Sequence, residues 1–341
     1  MSADADADDG ALPIVVSTGE LPPRELVDRR MREAYERFRG VDEGTIATYI
    51  PALASASPEW FGLAIAGVAG GVSAVGDAQR EFSIQSVSKP FVFALVCDAI
   101  GHDAARQRLG VNATGLPFDS VVAVELGADG ITNPMVNAGA LATASLVPGE
   151  GPDECWEFVR RGLSAFAGRE LAVDEEVFAS EQATNQRNRG TAHLLAGYDR
   201  IYCDPDEATD RYTRQCSILV TATDLAVMAA TLADGGVNPM TGEAVIDPAI
   251  CRRVLAVLAT AGLYERTGDW LYDIGLPGKS GVSGGMVTIS PGKGGLAAFS
   301  PLLDPAGNSV RGRLATAHLS DTLGLNLFAS TYRPLDTARE S

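Results

Sequence analysis

The sequence predicts an α+β fold, with one antiparallel β-sheet built from both ends of the chain, helices against it, and an all-helical subdomain inserted between. Three observations predict it. Two glycine-bounded apolar runs, WFGLAIAGV (60–68) and GGVSAVGD (70–77), read as a hairpin. Two more, GGMVTISP (284–291) and GGLAAFSP (294–301), form a second hairpin signal. Between about 120 and 255 the texture changes to apolar residues at helical spacing, joined by polar loops.

The elements follow in order. Residues 1–18 read as a disordered acidic tail. Residues 19–335 read as a single domain, with a sheet-containing part over 19–115 and 256–335 and a helical part over 116–255. Residues 23–39 have helical spacing and stop at Gly40. Pro51 interrupts the short apolar and aromatic stretch 46–53. EFSIQSVSKPFVFALVCDAIG (81–101) begins polar and becomes a long apolar helix, with Pro90 near its start, where a missing N–H is tolerated. Five helical stretches follow: NAGALATASLV, CWEFVRRGLSAFAG, TNQRNRGTAHLLAG, VTATDLAVMAATLADGG and DPAICRRVLAVLAT. RGRLATAHLSDTLGLNLF then reads as the closing helix. No internal repeat is present.

Composition narrows the function classes. The 341 residues are 46% hydrophobic, enough for a sizeable core. The net charge of −17 speaks against nucleic-acid or anionic-membrane partners, which require basic surface. No apolar run is long enough to span a bilayer, and MSADADADDG is not a secretory signal, so a cytoplasmic protein is expected. The five cysteines have no CxxC pair, and His102, His193 and His318 stand far apart. Neither a disulfide frame nor a metal site is signalled, and no cofactor is expected. Of the 27 basic residues only Lys89, Lys279 and Lys293 are lysines. An acidic, lysine-poor chain fits either salt adaptation or a codon bias towards arginine.

Two of those lysines lie in chemical motifs. Ser86-Val87-Ser88-Lys89 is an SxxK tetrapeptide. On a helix, positions i and i+3 share a face, so the amine can reach the hydroxyl. A buried lysine gives up its proton more readily and can act as a base. Ser86 is therefore the candidate nucleophile of an acyl-transfer enzyme, and Lys89 its base. Lys279-Ser280-Gly281, before a strand-like run, is the K-[ST]-G partner expected of SxxK enzymes. It would supply a positive field and a backbone N–H beside the nucleophile. Lys293, in PGKGG, reads as a solvated hairpin tip. No glycine-rich stretch forms a nucleotide-binding motif.

Beyond these motifs the chain resembles the serine-dependent glutaminases, of the compact bacterial or archaeal type, over about residues 25–330. The resemblance rests on TYIPAL (48–53), FSIQSVSKPF (82–91), NPMVNAGA (133–140), SEQATNQRN (180–188), YTRQCSI (212–218), MAATLADGG (228–236), GLPGKSGVSGG (275–285) and SPLLDPAGNSVRG (300–312). It implies a β-lactamase/DD-peptidase-like fold and hydrolysis of L-glutamine to L-glutamate and ammonia through an acyl-enzyme on Ser86. Tyr49 and Tyr264 fall where the family places active-site tyrosines, able to relay a proton to the leaving ammonia. The N–H groups of Val282 and Ser86 would form the oxyanion hole. Glu181 would hold the substrate ammonium, and Asn137 and Asn188 its carboxylate, with Tyr212 lining the pocket. A homodimer or homotetramer is the implied assembly. SEQATNQRN carries Asn185 where the family commonly has glycine, a departure that bears on affinity. Two rivals remain at this level. One is another acyl-transfer enzyme of the same fold acting on a different substrate, and the other a non-catalytic sensor that kept the pocket.

Overall fold

The computed structural model describes residues 19–329, so the expected acidic tail at 1–18 lies outside the described residues. Helix α1 (Arg24–Phe38) leads into the hairpin β1 (Gly62–Gly67) and β2 (Val72–Gly76), then β3 (Phe82–Ser83). A 3₁₀ turn, Gln85–Ser88, runs directly into α2 (Lys89–Ile100). Then come α3 (His102–Leu109), α4 (Val122–Leu126), α5 (Asn137–Ser145), α6 (Pro152–Ala167), α7 (Glu175–Thr184), α8 (Gln186–Gly197) and α9 (Pro205–Cys216). β4 (Leu219–Val220), α10 (Ala222–Ala233), α11 (Pro248–Ala261) and α12 (Thr267–Ile274) follow, then β5 (Gly278–Ser280), β6 (Gly285–Ser290), β7 (Gly294–Phe299) and α13 (Val310–Thr322).

The five-stranded sheet has the order β2-β1-β7-β6-β5 and every pair in it is antiparallel. Both ends of the chain contribute, as the two hairpin signals predict. Alternation along the strands sorts side chains to two faces. Leu63, Ile65, Leu296 and Ala298 pack with Val27 and Met31 of α1 and Ala315 and Leu319 of α13. Ala64, Ala66, Ala297 and Phe299 pack on the opposite side with Leu225, Ala226 and Ala229 of α10. That second face is built from small residues so that α10 comes close. A Cβ on Gly295 would sit 2.4 Å from both the Ala226 carbonyl oxygen and the Ala230 nitrogen.

Local signals set the helix starts. Thr221 and Asp224 form a capping box on α10. Asp204 caps α9 just before Pro205, and Asp247 caps α11 just before Pro248. Helix α10 lies within 116–255 in sequence and against the sheet in space. The stretch 116–255 is helical apart from β4, which pairs with β3 and carries the chain past the turn at 85–88. Helices α3, α4, α7, α9 and α12 are elements the hydrophobic spacing does not single out. Among the described residues no helix is long and apolar enough to cross a membrane.

Candidate active site

The site is built around the turn at Gln85–Ser88. The Ile84 N–H donates to the Ile218 carbonyl at 2.8 Å, extending the β3–β4 pairing to the edge of the turn. Gln85 then takes φ +50°, a left-handed value uncommon outside glycine and found where surroundings over-determine it. The Ser88 hydroxyl supplies one restraint, donating to the Gln85 carbonyl at 2.7 Å while accepting from Gln215 Nε2 at 2.9 Å. Ser86 therefore stands on a 3₁₀ turn ahead of α2, not within the α-helix itself. In 3₁₀ geometry i and i+3 eclipse, which aligns Ser86 with Lys89 more closely than an α-turn would.

Both side chains are buried. The Lys89 amine donates to Asn137 Oδ1 at 2.7 Å and to the Met135 carbonyl at 3.4 Å, between the rings of Phe118 and Tyr212. Burial pushes its pKa down to about 8, with Cys216, Glu181 and Asp119 acting in the opposite direction. About a tenth of the amine is then neutral at pH 7, far more than for a free lysine.

Asn137 is placed by its own motif. Asn133 Oδ1 accepts from the Met135 N–H at 2.9 Å, and the Asn137 N–H donates to Phe118 O at 2.8 Å. Gly139 lets α5 press on residue 133, since a Cβ there would lie 1.8 Å from the Asn133 carbonyl oxygen. NPMVNAGA is thus a tight turn feeding a helix whose first residue faces the base. Asn137 Oδ1 also accepts from the Tyr212 hydroxyl at 3.3 Å, and its Nδ2 donates to Asn188 Oδ1 at 3.1 Å.

Glu181, on α7, is buried and accepts from Gln85 Nε2 at 3.4 Å. Burial raises its pKa to about 7, against the Gln85 amide and Lys89, which lower it. Tyr49 precedes the turn Pro51–Ser55, which reaches α7 through a bond from the Ala52 N–H to Ser180 Oγ. The residue is 59% exposed, yet its hydroxyl is desolvated near Tyr264 and Glu181, and burial raises its pKa well above the usual phenol value. Burial likewise pushes Tyr212 well up.

The opposite wall comes from β5 and the loop before α12. A Cβ on Gly281 would lie 3.0 Å from the Ile84 carbonyl oxygen and 3.3 Å from Val87 Cγ2, so the Lys279-Ser280-Gly281 strand end abuts the nucleophile turn. Among the described residues the Val282 N–H meets no acceptor. The Ser86 N–H lies in the first turn of its helix, where amides lack internal partners. Tyr264 has φ +60°, and its hydroxyl donates to the Ser280 carbonyl at 3.0 Å. Burial raises its pKa to about 12, while hydrogen bonding at Ser280 and Ser86 acts against the rise. Lys279 is buried over the Tyr264 ring, 4.1 Å from its centroid. Burial and the nearby Lys89 hold its pKa well below the usual value.

The predicted residues thus converge from seven separated segments. Sequence reasoning missed Gln85, Phe118 and Cys216. Cys216 is buried among Tyr212, Ser88 and Lys89, and burial pushes its thiol far up. Its spacing of four from Tyr212 on α9 was a usable signal, because i and i+4 share a helix face. The left-handed backbone of Gln85 left no trace in the sequence. A cavity of about 770 Å³ beside α1 and the β1–β2 turn contains none of these side chains. Among the described residues no group of three or more histidine, cysteine or acidic side chains could hold a metal ion.

Comparisons with known proteins point to one family. The sequence model of the family described as Glutaminase matches residues 44–328. The chain is 58% identical over 315 residues to Glutaminase 2 of Yersinia pestis, covering 92% of this chain and 93% of that protein. A solved structure of the probable glutaminase ybaS is similar with a TM-score of 0.89 at 42% identity, covering 91% of this chain and 100% of that one. The Bacillus subtilis glutaminase YbgJ, solved as a covalent complex with 5-oxo-L-norleucine formed by reaction with 6-diazo-5-oxo-L-norleucine, is similar with a TM-score of 0.76 at 30% identity. That match covers 89% of this chain and 98% of the other.

Proposed function

The chain belongs to the glutaminase family and is an amidohydrolase that converts L-glutamine to L-glutamate and ammonia, and we propose that it does so through a γ-glutamyl ester on Ser86, with Lys89 as base. The observation that carries this reading is the enclosed Lys89 amine, lowered to about 8 and one 3₁₀ turn from Ser86.

Neutral Lys89 takes the Ser86 proton as Oγ attacks the side-chain amide carbon of glutamine. The N–H groups of Ser86 and Val282 receive the oxyanion. Tyr264, whose hydroxyl rests on the Ser280 carbonyl, gives its proton to the departing nitrogen, and Tyr49 assists from the open side. Ammonia leaves, water attacks the ester, and the same groups return the protons. Glu181 accepts the substrate α-ammonium. Asn137, Asn188 and Tyr212 hold the α-carboxylate. These steps call on no metal or cofactor.

The same reading takes residues 19–335 as one catalytic domain, supported by the family match over 44–328. A cytoplasmic homodimer or homotetramer belongs to it too, supported by the resemblance to the family.

The test is release of ammonia and glutamate from L-glutamine, with Ser86→Ala and L-asparagine as controls, and peptide mapping after 6-diazo-5-oxo-L-norleucine. Ser86→Ala is expected to retain less than about a thousandth of the rate, and the adduct to map to Ser86. An adduct on another residue overturns the assignment.

A further inference from the structure

Lys279 is fully enclosed on the edge strand β5, and no carboxylate pairs with it among the described residues. Its amine has two neighbours. One is the Ser280 carbonyl oxygen at 2.9 Å, and the other is the face of the Tyr264 ring at 4.1 Å. The Tyr264 hydroxyl donates to that same carbonyl at 3.0 Å. A single acceptor therefore collects both donors, and the amine lies on the ring whose hydroxyl it accompanies. Ser280 is itself fixed, its side chain bonded to Asn308 at 2.5 Å.

Tyr264 needs such fixing. It is a bulky residue at φ +60°, an outlier that persists only when the surroundings enforce it. Thr267 holds its backbone, with Oγ1 donating to the Tyr264 carbonyl at 2.8 Å and accepting from the Leu263 N–H at 3.0 Å. Phe118 packs on one side of the ring, 4.6 Å between centroids. Lys279 packs its amine on the ring and donates to the same β5 carbonyl that receives the phenol.

We propose that Lys279 is a positioning residue for Tyr264, holding the phenol oxygen at the Ser280 carbonyl, beside the nucleophile turn, from where its O–H turns to protonate the departing nitrogen. This rests on the reading of Tyr264 as proton donor. Burial and Lys89 disfavour a charge on Lys279, which fits a packing and hydrogen-bonding role better than a field. Loss of Lys279 should then hurt only where the leaving group needs a proton.

The experiment compares L-glutamine with the γ-p-nitrophenyl ester of L-glutamate, whose phenolate departs without protonation. The variants are Lys279→Met, Tyr264→Phe and the double variant. Lys279→Met is expected to lower kcat on glutamine at least about tenfold, with KM and ester turnover within about threefold of the parent. Tyr264→Phe is expected to follow the same pattern, and the double variant to be no worse than Tyr264→Phe alone. Lys279→Gln, which keeps a donor for the Ser280 carbonyl, is expected to restore part of the rate, and it replaces Lys279→Met in the cycle should the latter not fold. Equal losses on amide and ester, or an additive double variant beside an amide-selective Tyr264→Phe, overturn the Lys279 proposal alone. A Tyr264→Phe variant with parental turnover of glutamine overturns the proton-donor reading, and the Lys279 proposal with it.

Discussion

Asn137 Oδ1 lies 2.7 Å from Lys89 Nζ, and the same oxygen accepts from Tyr212. Two donors on one atom fix the orientation of the amide, so its Nδ2 must face Asn188. The base of the reaction and the clamp proposed for the substrate carboxylate are therefore joined through one side chain. Asn137 holds the amine by hydrogen bonding while adding no charge, which leaves Lys89 able to lose its proton near pH 8.

Asn137→Asp puts a carboxylate in that place. An opposite charge in contact favours the ammonium form, so the pKa of Lys89 rises above about 8. The base is then protonated where the parent enzyme is active. The acid limb of the kcat–pH profile is expected to move to higher pH by more than about one pH unit. A limb that stays in place removes Lys89 from the role of base.

Glu181 controls a different parameter. With its pKa near 7 in the empty site, it gains a proton as pH falls through neutrality and loses the charge an ammonium needs. Apparent affinity scales with the binding-competent fraction, so KM for glutamine is expected to rise about tenfold from pH 8 to pH 6. Glu181→Gln is expected to give a high KM that no longer varies over this range. A parental KM that is flat between those pH values removes Glu181 from the ammonium subsite.

The sequence carried the nucleophile, the base and the sheet, and physical reasons separate these from what it hid. SxxK and KSG are local, and the glycine-bounded runs announce strands by their ends. The backbone of Gln85 is set by Ser88 and Gln215, the latter 127 positions from Ser88, so no local pattern encodes it. The lowered pKa of Lys279 comes from its enclosure by distant segments and from Lys89, which no local pattern announces. Helix α9 is missed because its buried face mixes Ala208, Thr209, Tyr212, Thr213 and Cys216 rather than a stripe of large aliphatic residues.

Gly295 tests the close seat of α10 on the sheet. Gly295→Ala introduces a methyl group 2.4 Å from helix backbone, where no flexible side chain can yield. The expected cost is about 1–3 kcal/mol, read as a lower midpoint in thermal or denaturant unfolding. An unchanged midpoint contradicts the tight packing of α10 on β7.

Lys89 places function against stability. Its amine titrates near 8 in the folded chain and near the usual 10.5 when unfolded. Below pH 8 both states are protonated, and the fold bears the whole cost of an enclosed cation, roughly 3 kcal/mol for a displacement of this size. Between pH 8 and 10.5 the unfolded chain binds the proton that the folded chain has released, so the deficit shrinks as pH rises and is gone above 10.5. Lys89→Met removes the cation and keeps the bulk, leaving Asn137 Oδ1 with the Tyr212 hydroxyl as donor. The variant is expected to lose glutaminase activity and to unfold at a higher temperature than the parent at pH 7. That gain is expected to narrow steadily in melts at pH 8, 9 and 10. A variant less stable than the parent at pH 7 means that the bonds to Asn137 and Met135 outweigh the cost of enclosing the charge, and that the active site does not strain the fold at this position.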